Sequence, residues 1–110
     1  MTWRTHMCGE PTKALVPEEL VLAGWVARRR DHGGLIFIDL RDRTGVTQLV
    51  INPENAPAAA ELAHGIRNEF VLRVEGILVN RAPETVNPNM ATGDVELVVT
   101  DLEIVSRSTP

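Results

Sequence analysis

At 110 residues, 44% of them hydrophobic, the chain has length for one modest core and none for a second, and its composition is not that of a disordered segment. A formal net charge of −4 excludes indiscriminate nucleic-acid binding through bulk charge, so any such contact falls to a local patch, which Arg28, Arg29, Arg30, Arg41 and Arg43 supply. Cys8 stands alone, which excludes an internal disulfide and suits a reducing cytoplasm; no apolar run approaches membrane-spanning length, and the first six residues lack the apolar core of a signal peptide.

Residues 1–17 are polar and broken by Pro11 and Pro17. Trp3, Met7 and Cys8 can pack as a short lead-in segment, the alternative being a partly ordered terminus. The first strand is predicted over Val21–Ala27, apolar on both alternating faces, with Gly24 in its middle to allow a sharp bend. Arg28–Gly34 reads as a charged, glycine-ended loop; if the arginines instead continue the strand, Arg28 and Arg30 share a face and Arg29 points away. Leu35–Arg41 is the second strand, Asp42–Gly45 a turn that Asp starts and Gly ends, and Val46–Ile51 the third strand. Asn52-Pro53 stops it, because proline cannot continue a ladder.

Pro57–Asn68 is the one helix expected. Proline suits its first turn, and Ala59, Leu62, Ala63 and Ile66 form an apolar stripe at helical spacing. Such a short helix needs docking to be stable. Phe70–Asn80 is the fourth strand, with Phe70, Leu72 and Val74 on one face, Val71, Ile77 and Val79 on the other, and Gly76 marking a bend or bulge. Arg81–Gly93 is a long loop with two prolines. Asp94–Val105 is the fifth strand, turning Val95, Leu97 and Val99 one way and Glu96, Val98 and Thr100 the other.

The register of the second and third strands decides which side chains meet. If Arg41 pairs with Val46, then Asp39 pairs with Gln48 and Phe37 with Val50. The other face holds Ile36, Ile38 and Leu40 against Thr47, Leu49 and Ile51, the more continuously apolar set, which is therefore placed in the core. Phe37 and Gln48 are left outside, diagonal neighbours beside an arginine cluster. An unpaired base suits that surface: the ring stacks, the amide bonds an edge, and guanidiniums hold phosphates. Slipping the strand by one residue would instead make Phe37 a core aromatic.

Three strands, a helix, then two strands is the order of an OB-fold: an all-β, five-stranded Greek-key barrel with one short helix between strands 3 and 4. Barrels of this kind bind oligonucleotides on the strand 2–3 face and in the loops between strands 1 and 2 and strands 4 and 5. No catalytic constellation is present. Asp39 and Asp42 lie beside Arg41 and Arg43, which favours salt bridges over a metal, and His6, His32 and His64 have no ligand spacing with Cys8.

Three stretches carry a family resemblance: GWVARRRDHGGLIFIDLRDRTGVTQLV, IRNEFVLRVEG and NMATGDVEL. Nearly the whole chain resembles the N-terminal anticodon-binding domain of bacterial-type aspartyl-tRNA synthetases. A looser form of the pattern is shared by lysyl and asparaginyl relatives. The resemblance implies one domain over residues 1–110, with 1–17 as lead-in and 106–110 as the start of a hinge to an absent catalytic domain. It implies recognition of the GUC anticodon of tRNA-Asp, with tolerance of tRNA-Asn. The parent would be an aspartate–tRNA ligase using ATP and Mg, a cytoplasmic homodimer; the fragment itself would need no cofactor. A free-standing OB-fold module for RNA or single strands is the alternative, and a protein-binding OB barrel a third.

The same resemblance gives residue roles. Phe37 falls on the aromatic that stacks on the middle anticodon base, and Gln48 on the glutamine that contacts the same base. Arg30 is assigned to the first base and Arg28 to backbone phosphate. Glu96 falls on the glutamate that reads the third base; a carboxylate accepts from cytosine's amino group and repels uracil's carbonyl. Arg81 and Asn87 match polar positions in the loop between strands 4 and 5, where Thr85 departs from a common Asn. Arg67 is assigned either to the stem backbone or to a helix surface. His32 resembles members that also charge tRNA-Asn, or is a solvent-exposed loop histidine.

Overall fold

The structure, a computed structural model, describes residues 4–107, so Trp3 and the hinge residues 108–110 lie outside the described residues. Five strands close a barrel: β1 (Glu19–His32), β2 (Leu35–Asp42), β3 (Gly45–Ile51), β4 (Val71–Asn80) and β5 (Val95–Ser106), in the spatial order β1-β2-β3-β5-β4. One α-helix, α1 (Pro57–Ala63), lies between β3 and β4, and short 3-10 turns form at Lys13–Leu15 and Pro83–Thr85. Among the described residues no helix is long and apolar enough to cross a membrane.

β1 closes the barrel by pairing on both edges. Its first half, from Glu19 to Trp25, runs antiparallel to β4, and its second half, from Trp25 to His32, antiparallel to β2. Gly24 sits where the partner changes; a Cβ there would lie 2.3 Å from the Arg41 carbonyl oxygen, so the approach of β2 admits no side chain. The β2–β3 register is the expected one: Arg41 faces Val46, Asp39 faces Gln48 and Phe37 faces Val50. Ile36, Ile38, Leu40, Thr47, Leu49 and Ile51 are all buried accordingly. On β4 and β5 the faces that hold Leu72 and Val74, and Val95, Leu97 and Val99, turn inward and complete the core. A bulge falls between Glu75 and Gly76, as the glycine suggests.

Two boundaries differ widely from expectation, and several others shift by one or two residues. Arg28–Gly34 is not a loop: β1 continues to His32, and only Gly33 and Gly34, at φ of 60° and 83°, make the turn. Residues 28–32 pair with β2 as a two-stranded extension, so charged side chains can stand in solvent without breaking the ladder. The helix is shorter than predicted, ending at Ala63, and it buries Ala59, Ala60 and Ala63 while leaving Leu62 45% exposed. The helix residues buried as α1 packs on β3 and β5 are all alanines. Ile66 is still buried, but from the connection that follows the helix.

The lead-in segment is tied to the barrel. Thr5 N–H donates to the Val21 carbonyl at 2.8 Å, and Val21 N–H donates to Thr5 Oγ1 at 2.8 Å. Cys8, fully buried, donates its N–H to Asp42 Oδ2 at 2.7 Å and accepts at its carbonyl from Thr47 Oγ1 at 2.5 Å.

Candidate functional site

The outer face of β1, β2, β3 and β5 gathers most of the candidate residues, and a bulge in β1 makes this possible. Leu20, Leu22 and Val26 point inward at even positions; an irregularity between Val26 and Arg28 then reverses the phase. Arg28 and Arg30 therefore stand outside, opposite Asp39 and Phe37. His32 follows at the exposed end of the same strand, paired with Leu35 across the glycine turn. Leu49 and Val50 pair in parallel with Leu97 and Val98, which brings Glu96 beside Gln48.

These neighbours form a hydrogen-bonded line. Arg30 Nη2 donates to Gln48 Oε1 at 3.0 Å, and Gln48 Nε2 donates to Glu96 Oε1 at 2.9 Å. The Arg30 guanidinium carbon lies 5.5 Å from the centroid of the Phe37 ring, within cation–π range. Phe37 is half-buried. Arg30, His32, Phe37, Gln48, Arg81 and Thr85 line an open cleft of about 240 Å³. That is below the roughly 300–1,000 Å³ of a typical small-molecule pocket, and it suits one flat ring against an aromatic face.

The remaining candidates sit differently. Arg81 is only 8% exposed and is spent on the loop after β4: Nε donates to the Val95 carbonyl at 3.0 Å, Nη1 to the Thr85 carbonyl at 3.2 Å, and Nη2 lies 3.9 Å from Met90 Sδ. It forms a wall of the cleft and holds that wall in place. Asn87 Oδ1 accepts from Asn89 N–H at 3.0 Å, and its own N–H donates to the Gly93 carbonyl at 3.0 Å, so it shapes the loop and does not line the cleft. Arg67 lies on the turn before β4, not on the helix, and is also absent from the cleft lining. Arg28 extends the outer face one step beyond Arg30, exposed.

Thr85 enters the cleft wall unforeseen as a site residue, because it does so from a loop whose path no periodicity predicts. Arg29 is a second addition. It points away from Arg28 and Arg30, donating Nε to the Ala63 carbonyl at 3.0 Å and pairing with Asp31 at 3.2 Å. Its charge meets the carbonyl end of α1, where cations are favoured. The expected salt bridge of Asp42 is corrected: its carboxylate is 9% exposed and accepts from the backbone N–H of Cys8 and from the N–H and hydroxyl of Thr44. Burial alone would raise this carboxyl, but those hydrogen bonds outweigh it and hold Asp42 below the usual carboxylate range. Burial, and next the Asp42 charge, push the Cys8 thiol up. Among the described residues no cluster of three His, Cys, Asp or Glu could hold a metal ion.

Comparison with known proteins places this geometry. The family model for tRNA anticodon domains, described as an OB-fold nucleic acid binding domain, matches residues 20–105. The aspartate–tRNA(Asp/Asn) ligase of Thermoanaerobacter pseudethanolicus is 53% identical over 105 residues, covering 96% of this chain and 18% of that protein. The aspartate–tRNA ligase of Geobacillus kaustophilus is 53% identical over 105 residues, with the same 96% and 18% coverage. Among solved structures, the asparaginyl-tRNA synthetase of Pyrococcus horikoshii with asparaginyl-adenylate superposes at a TM-score of 0.79 and 28% identity, covering 94% of this chain and 23% of that one. The chain thus spans about a fifth of the length of the curated relatives it matches.

Proposed function

We propose a function from one premise: the chain belongs to the tRNA anticodon family, the OB-fold nucleic acid binding domains. Its outer face recognises the GUC anticodon of tRNA-Asp, as the N-terminal domain of an aspartate–tRNA ligase. The observation that carries this reading is the line of Arg30, Gln48 and Glu96 beside the Phe37 ring. It sets a cation, an amide and an anion side by side next to a stacking surface, the equipment for three successive unpaired bases.

The middle base stacks on Phe37 and bonds the Gln48 amide, whose donor and acceptor suit uracil. Arg30 meets the first base and Glu96 the third, where a carboxylate accepts from cytosine's amino group. Arg28 holds phosphate, and Arg67 reaches the stem backbone. Arg81 and Asn87 act through the loop between β4 and β5, Arg81 at the cleft wall and Asn87 by shaping the turn. Residues 1–110 are one domain, with 1–17 as lead-in and the hinge following Ser106, the last residue of β5 and not the hinge's first as the resemblance implies. The whole enzyme is a cytoplasmic homodimer that joins aspartate to tRNA with ATP and Mg, which its other parts bind.

His32 stands at the cleft mouth, and its place there supports tolerance of tRNA-Asn, whose anticodon ends in uracil. The relative whose name includes both tRNAs supports it too. The test is a titration of the domain with GUC, GUU and scrambled anticodon stem-loops. GUC is expected to bind best, GUU within about tenfold of it, and His32→Leu to widen that gap by an amount on the order of 1 kcal/mol. Equal binding of GUC and scrambled loops refutes the anticodon reading. A gap unmoved by His32→Leu removes His32 from third-base tolerance.

A further inference from the structure

Gln48 is 6% exposed, and each end of its amide already holds a charged neighbour. Oε1 accepts from Arg30 at 3.0 Å, and Nε2 donates to Glu96 at 2.9 Å. A guanidinium only donates and a carboxylate only accepts, so one orientation of the amide satisfies both neighbours and the flipped one satisfies neither. Each end keeps one unused position, a lone pair on Oε1 and a proton on Nε2.

We infer that Arg30 and Glu96 clamp the polarity of Gln48, and that this clamp is what separates uracil from cytosine at the middle anticodon position. The inference rests on the anticodon reading above. The two pyrimidines have nearly the same shape over an aromatic ring. At adjacent positions of the pairing edge, uracil offers a carbonyl acceptor then an N–H donor, and cytosine an amino donor then a ring-nitrogen acceptor. The order is reversed. A primary amide is almost symmetric in shape, so a free one turns over and satisfies either base. A clamped one keeps a single order and leaves the other base with donor facing donor and acceptor facing acceptor. Turning the clamped amide over would cost two charge-assisted hydrogen bonds at once. Arg30 and Glu96 are thus positioning residues for the middle base, besides any base they touch themselves.

The experiment titrates the full chain with GUC, GCC and scrambled stem-loops, then repeats the titration with two variants. Glu96→Gln keeps the size of the side chain but both donates and accepts, so this jaw no longer favours either orientation of Gln48 and Arg30 alone holds it. The GUC-to-GCC preference is expected to fall by about tenfold, the scale of one lost bidentate discrimination. Arg30→Met removes the other jaw while keeping an alkyl chain near Phe37, and is expected to narrow the same ratio. Loss of packing alone would weaken both RNAs together and leave the ratio unmoved. An unchanged ratio in both variants, or no preference for GUC over GCC in the unmodified chain, overturns the clamp while GUC still exceeds the scrambled loop. Failure of GUC to exceed the scrambled loop overturns the anticodon reading instead.

Discussion

Removing the Phe37 ring separates a recognition surface from a core. Phe37 sits on the outer face of β2, half-buried, with Val50 opposite and the Arg30 guanidinium 5.5 Å from its centroid. In Phe37→Ala the fold loses an exposed cation–π contact worth roughly 0.5–1 kcal/mol and a cross-strand pair worth roughly 0.2–1 kcal/mol. The stability cost is therefore about 1–2 kcal/mol. Its chain neighbour Ile38 is fully buried, and Ile38→Ala should cost roughly 2–5 kcal/mol through the cavity it leaves. For a domain near this size each kcal/mol moves the melting temperature by roughly 4–8 °C, so Ile38→Ala should melt below Phe37→Ala in parallel thermal melts. Stem-loop affinity should behave in the opposite way. Phe37→Ala loses one stacked base, roughly 1–3 kcal/mol, or about 5- to 150-fold in Kd. Ile38→Ala, assayed well below its melting point, should bind nearly as the unmodified chain does. A melt of Phe37→Ala as low as that of Ile38→Ala, with unaltered RNA affinity, would refute the outward, base-stacking assignment.

Three further outcomes are expected. Asp42 has a lowered carboxyl pKa in the folded state, so it contributes stability above the unfolded-state value and loses it as the pH falls through the folded value; chemical denaturation from pH 6 down to pH 3 should show this acid loss, and Asp42→Asn should flatten it while costing roughly 1–3 kcal/mol at neutral pH. Arg29→Ala removes the donor to the Ala63 carbonyl at the end of α1 and should lower stability by about 1 kcal/mol in denaturant melts, while changing stem-loop affinity less than Arg30→Ala does. With a net acidic domain, the slope of log affinity against log salt should be shallow, and Arg28→Ala should reduce it by about 1; a steep slope indifferent to Arg28 would place the phosphate contacts elsewhere.

The hairpin of β2 and β3 was legible because its alternation is strict and its turn chemistry local: Asp42 accepts from Thr44 N–H at 2.8 Å across the tip. The extension of β1 was not. The bulge after Val26 reverses the inside–outside phase without any proline or glycine to announce it, and three consecutive arginines look like a solvated loop until β2 is there to pair with them. The helix stripe misled at Leu62 because periodicity names a face without knowing which side of the helix the neighbouring strands cover; the alanines at 59, 60 and 63 are buried and Leu62 is not. Gln48 was foreseen on the outer face, but not its burial, which depends on two long side chains from strands remote in sequence folding over it. Asp42 was misassigned because its true partners, the backbone N–H groups of Cys8 and Thr44, carry no sequence signature.

The barrel is sewn unevenly. Long antiparallel seams join β1 to β2 and β4 to β5, but β3 meets β5 through only two paired rungs, Leu49 with Leu97 and Val50 with Val98, and runs parallel there. Gln48 and Glu96 stand one residue before that short seam on either side of it, and their hydrogen bond crosses it. An RNA that grips both side chains becomes a suture over the thinnest stitching of the wall. The amides of this seam, which should exchange with solvent sooner than those of the long seams in the empty barrel, would then be the ones whose exchange slows most when RNA is bound.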